Sequence, residues 1–137
     1  MNYFFKYLKL KNPDRRLLHE AIVFLFYEKF RVHTLPFKKL VGSREQDEYS
    51  DSLNDMVLRR IRLAIRRANK LAWWSNVCLV KSLAARRMLN RRRISSSFHL
   101  GLRFENKNKL AAHAWLISGD MEITPKGRER LKEIICF

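Results

Sequence analysis

Two side chains in this sequence could perform covalent chemistry together, Cys78 and His113. A thiol attacks a carbonyl as the thiolate, and the first turn of a helix favours that anion through its free backbone N–H groups and its dipole. Helical spacing from Asn76 through Leu79, Leu83 and Met88 to about Arg92 puts Cys78 in such a first turn. A reactive thiol also needs a base, usually a histidine held on a separate rigid element. His113 lies on a predicted strand after that helix and meets the requirement. His99, on another predicted strand, is an alternative base, whereas His19 and His33 fall on the first helix. The non-catalytic alternative is that Cys78 is a small buried apolar filler, the commoner fate of a free cysteine.

The elements that must hold this pair follow from periodicity. Pro13 and Asp14 open a helix that Thr34 and Pro36 stop. Its middle is apolar nearly all round, the pattern of a helix enclosed by the domain. Gly42 to Asp51 reads as a loop, after which Ser50 or Ser52 can cap a second helix. Val57, Ile61, Ala64, Ala68 and Leu71 recur at three and four with arginines between them, giving an amphipathic helix with a basic outer face. Trp73-Trp74-Ser75-Asn76 separates it from the Cys78 helix. Beyond Arg93, the segments 98–104 and 111–117 read as strands, Ser118-Gly119 as a hairpin turn and 121–124 as the returning strand. Residues 128–137 are open between a short helix and a last strand. The expected class is α+β, helices first and a small antiparallel sheet second. One domain over 1–137 is expected, with a helical part at 1–50 and a catalytic core at 51–137.

Composition bounds the function classes. With 47% apolar residues, four glycines and three prolines, the chain is neither disordered nor fibrous. Twenty-nine Lys and Arg against 13 Asp and Glu leave a formal charge of +16, and between Asp55 and Glu105 there is no carboxylate. Such a surface recruits nucleic acid, anionic lipid or an acidic peptide. The N-terminus has no signal-peptide pattern, the longest apolar run, Ala21 to Tyr27, is too short to span a bilayer, and two cysteines suit a reduced compartment. A cytoplasmic protein without membrane span follows as the expectation, and a thiol–imidazole pair calls for neither cofactor nor metal.

The stretch Cys78-Leu79-Val80-Lys81-Ser82-Leu83-Ala84, then Met88-Leu89-Asn90-Arg91-Arg92-Arg93-Ile94, Leu100-Gly101-Leu102 and Ala112-His113-Ala114-Trp115-Leu116 resembles the transglutaminase-like leader peptidases of lasso-peptide biosynthesis, the stand-alone B proteins. Leu35-Pro36-Phe37 after a first apolar helix fits the same family, and the resemblance runs from about Leu17 to Thr124. It implies a papain/transglutaminase-type fold whose cysteine cuts the leader from a ribosomally made precursor before an ATP-dependent macrolactam cyclase closes the ring. It also implies a small separate leader-recognition protein, which suits the lack of a leader-binding domain ahead of Leu17. Cys78 would be the nucleophile, His113 the base, and the Cys78 N–H part of an oxyanion hole. Trp73 or Trp74 could add a donor, with packing as the alternative.

The third catalytic member is where the sequence departs from the family. Relatives place an aspartate late on the strand after the histidine, but here Ile123-Thr124-Pro125 stands there. If Ser118-Gly119 is a two-residue loop, Ile117 pairs with Asp120, Trp115 with Glu122 and His113 with Thr124. Thr124 would then face His113, Glu122 would lie diagonal, and Asp120 would be distant. Asp120 is nonetheless carried as the third candidate because a Gly-Asp turn recurs in similar sequences, its alternative being a turn residue. Cys136 reads as a terminal apolar residue. Two rivals to a peptidase remain: a nucleic-acid-binding protein using Arg59, Arg62, Arg66 and Lys70, for which no recognition motif accompanies the charge, and a non-catalytic scaffold of the pathway. For the peptidase, the basic surface is expected to dock the acidic side of the precursor or the recognition protein.

Overall fold

Pro13, in the first turn of a helix, loses nothing by lacking an N–H, and Asp14 beside it complements the helix dipole. In the computed structural model, which describes residues 3–41, 55–72, 78–106, 109–125 and 132–136, these residues open the long helix α2 (Asn12–Thr34). A short helix α1 (Tyr3–Leu8) precedes it, and α3 (Phe37–Val41) follows once Leu35 turns extended ahead of Pro36. The loop expected at 42–51, the caps Ser50 and Ser52, and Trp73 to Asn76 lie outside the described residues.

Leu18, Ala21, Leu25 and Glu28 of α2 are buried, a stripe spaced by three and four. The opposite face is not: Val23, Phe26, Tyr27 and Phe30 stand exposed. The expectation of an enclosed helix is therefore corrected. The two further long helices among the described residues, α4 (Asp55–Leu71) and α5 (Cys78–Arg91), both pack against α2.

Helix α4 is amphipathic as its spacing requires, burying Leu58, Ile61, Ala64, Ile65 and Ala68 with the arginines outside. Helix α5 buries Val80, Ser82, Leu83, Ala84, Ala85, Met88 and Leu89, more than one stripe, because it lies between α2 on one side and the sheet on the other. It closes in a Schellman turn. Ile94 N–H reaches back to the Leu89 carbonyl and Arg93 N–H to Asn90, with Arg93 at a φ of 54°.

The sheet contains β1 (Ser97–Asn106), β2 (Lys109–Ser118), β3 (Met121–Thr124) and β4 (Lys132–Cys136), ordered β3-β2-β1-β4 and antiparallel throughout. The C-terminal segment is thus an edge strand, not a helix. The β2–β3 hairpin turns on Gly119 and Asp120, not on Ser118-Gly119, since Ser118 pairs with Met121. Gly119 has a φ of 59°, the position that this two-residue turn reserves for glycine.

The buried apolar residues of α2, α4, α5 and the sheet form one cluster. Complete burial of a residue such as Leu25 or Leu89 contributes on the order of 2 kcal/mol. Ion pairs lace the helices over it: Glu28, itself buried, accepts from Arg87 at 2.6 Å and Arg31 at 3.1 Å, and Glu20 accepts from Arg92 at 2.7 Å and Arg91 at 3.2 Å. The hydrogen bonds that Arg92 donates to Glu20, ahead of the opposing effect of burial and the further pull of Glu20's charge, hold Arg92 above the ordinary arginine value. No described helix is long and apolar enough to cross a membrane.

Candidate active site

The geometry of the site begins with a count of residues in β3. Thr124 pairs with Leu116 and Glu122 with Ile117, so Ile123 is an extra residue, a bulge. The alternation of β3 breaks there, and Ile123 and Thr124 are both buried. This corrects the register expected from the sequence, in which Thr124 faced His113.

The bulge turns Thr124 into the interior, where its hydroxyl accepts the Leu116 N–H at 2.8 Å and meets the Ser82 hydroxyl at 2.8 Å. Ser82 also donates to the Ala114 carbonyl at 3.3 Å. A buried polar chain thus joins α5 to β2 and β3, every member paired as burial demands. Ser82 is one helical turn beyond Cys78, so this join fixes where the start of α5 meets the sheet.

Cys78 is the first residue of α5. Its Sγ accepts the Ala114 N–H at 3.4 Å and lies 4.0 Å from the Ala112 carbonyl oxygen. Because backbone groups two residues apart leave a strand on the same edge, Ala112 O and Ala114 N point off the edge that β3 occupies farther along. Beyond Thr124 the edge of β2 takes the thiol instead. Between these two contacts stands His113, half-buried, and its cross-strand neighbour is Gly101, which has no side chain to set beside the imidazole.

His113 Nε2 lies 2.8 Å from the Pro125 carbonyl oxygen. A carbonyl can only accept, so Nε2 carries the proton and Nδ1 of the neutral ring is left with its lone pair. That is the tautomer a base needs if Nδ1 is to receive a proton from a thiol. Trp115, fully buried, stacks on His113 with centroids 6.1 Å apart and on His99 at 5.4 Å. Both imidazoles thus stack on Trp115, but it is His113 whose flanking backbone the Cys78 sulfur touches.

The carboxylate candidates are elsewhere. Asp120 is exposed in the turn, and with Glu122 it lines a hollow of about 390 Å³ shared with Asp55, Arg62, Ser118 and Met121. Neither stands where Pro125 does. The Cα of Cys136 pairs with that of His99 across β1 and β4. Trp73 and Trp74 lie outside the described residues. Sequence reasoning missed the Pro125 carbonyl and Ser82. Ser82 was within reach, since four residues after Cys78 on a helix is the same face; a backbone acceptor leaves no residue-type signal. Among the described residues, no three His, Cys, Asp or Glu side chains converge as metal ligands would.

A helix that begins with a cysteine thus packs on an antiparallel sheet that carries a histidine, and residues 24–136 match the model of the transglutaminase-like superfamily. That match covers most of the chain, which therefore belongs to the superfamily. Its members include cysteine peptidases and transferases. No curated protein and no solved structure matches the chain.

Proposed function

We propose that this chain is a cysteine peptidase that removes the leader from a ribosomally made lasso-peptide precursor, with Cys78 as nucleophile and His113 as base. The observation that carries the reading is the seat of the Cys78 sulfur at the start of α5, against the backbone on either side of His113. His113 Nδ1 takes the thiol proton as Sγ bonds to the scissile carbonyl carbon. The C–N bond then breaks, the amine leaves with the proton from His113, and the peptide remains as a thioester on Cys78. Water, deprotonated by His113, hydrolyses the thioester and restores the thiol. A transferase would run the same first half and admit an amine instead of water.

Leader removal, as the particular peptide bond cut, is supported by the resemblance carried by the Cys78–Ala84 and Ala112–Leu116 segments. On that basis the partners are a leader-bearing precursor and a small leader-recognition protein, with an ATP-dependent macrolactam cyclase acting afterwards. Incubation of precursor and recognition protein with the wild type, Cys78→Ala and His113→Ala, read by mass spectrometry, tests this. Each substitution is expected to lower the release rate by a factor of about 10³ or more. Equal release by all three removes the mechanism.

A further inference from the structure

Helix α2 is apolar on two opposite faces, and the described residues bury only one of them. Val23 is 60% exposed, Phe26 61%, Tyr27 46% and Phe30 64%. Spaced at i, i+3, i+4 and i+7, they form a ridge two turns long, diametrically opposite the buried Leu18–Ala21–Leu25–Glu28 stripe. Together they expose on the order of 400 Å² of large apolar side chain, as much as the largest patch of an ordinary monomer, and such patches mark interaction sites.

The surroundings say what kind of partner fits. All three carboxylates of α2 face arginines in ion pairs: Asp14 with Arg60, Glu20 with Arg91 and Arg92, Glu28 with Arg31 and Arg87. Beside the ridge the guanidinium groups stack on rings. Arg87 lies 4.8 Å and Arg31 5.7 Å from the Tyr27 centroid, and Arg91 lies 5.8 Å from that of Phe24. These cations are held in fixed positions by both ring and carboxylate, and Arg–aromatic clusters of this kind form the energetic centres of protein interfaces. A second copy of the chain would present the same cations at a net charge of +16, so self-association is opposed. A lipid surface suits long cations free to snorkel outward, unlike arginines already clamped.

We infer that the outward face of α2 is a docking site for an acidic protein segment, one that presents an apolar ridge flanked by carboxylates. Arg87 is nine residues along α5 from Cys78, roughly 14 Å at the helical rise, so these cations and the thiol are separate places on the chain. The inference does not depend on the peptidase reading.

The test is fluorescence anisotropy of the full chain with a labelled amphipathic peptide carrying leucine at every third and fourth position and glutamate between. Its twin with lysine for glutamate, vesicles of phosphatidylcholine and phosphatidylserine, and sedimentation of the chain alone are the other arms. The glutamate peptide should bind at least about tenfold more tightly than its twin, and Val23→Glu/Phe30→Glu should weaken it about tenfold or more. Cys78→Ala should leave binding unchanged. Both substituted residues are exposed, and a thermal melt checks that the fold is kept; Phe30→Ser alone serves if the double variant melts early. Undiminished binding by a folded variant, no binding by the glutamate peptide, or occupation of the ridge by vesicles or by a second copy overturns the proposal.

Discussion

His113 hands its Nε2 proton to the Pro125 carbonyl, an acceptor without charge. A carboxylate there would both fix the ring and stabilise the imidazolium that forms on proton transfer; a carbonyl does the first fully and the second only through its dipole. On the proposed mechanism, Asp120→Ala and Glu122→Ala should each keep kcat/KM within about threefold of the wild type, under ~0.7 kcal/mol of transition-state energy. A hundredfold fall in either variant would show that a carboxylate reaches the ring during turnover. At this scale the sequence was legible where chemistry depends on side-chain type. Spacing anticipated that Cys78 falls in a helix and His113 in a later strand. The acceptor for His113 was not legible, because any residue offers a carbonyl and only the path of β3 decides which one arrives. His99 and His113 could not be separated by spacing either. Both stack on Trp115, and the contacts of the Cys78 sulfur with Ala112 and Ala114 are what favour His113.

Helix α5 is bounded by two unlike ends. Its first turn holds the sulfur, and its last is closed by Arg93 in the left-handed region. A residue with a Cβ pays about 1 kcal/mol for that conformation relative to glycine. Arg93→Gly should therefore stabilise the fold by up to about 1 kcal/mol, less the added freedom of glycine in the unfolded chain. Chemical denaturation should show a higher midpoint with an unchanged slope; a lower midpoint would mean that the Arg93 side chain makes contacts worth more than the strain. Among the elements, α4 was readable because one face is apolar and the other basic. Helix α2 was misread because an all-round apolar pattern says that two faces want cover without saying who supplies it. The last strand was undecidable from a short apolar run, and its place came from pairing with β1, a long-range contact with no local signature.

The whole molecule carries its excess charge unevenly. Inside the α2–α5 seam the arginines are matched by Glu20 and Glu28, whereas Arg59, Arg62, Arg66 and Lys70 along α4 have no ion-pair partner among the described residues. Exposed like charges repel and are screened by salt, while partly buried pairs are screened much less. The melting temperature should accordingly rise by a few degrees between about 20 mM and about 300 mM sodium chloride. A fall would mean that the seam's ion pairs outweigh the repulsion along α4.

The added residue in β3 has a consequence for how such a site could be gained or lost. Without Ile123, regular pairing could continue past Leu116, and the β2 edge that receives the sulfur would be taken by main chain. On the proposed mechanism, competence would then hinge on hairpin length, so a single-codon deletion could abolish activity while every residue of the Cys78 and His113 segments stayed intact. In any comparison of related chains, the spacing from Gly119 to Pro125 would be as informative as the residue types at positions 78 and 113.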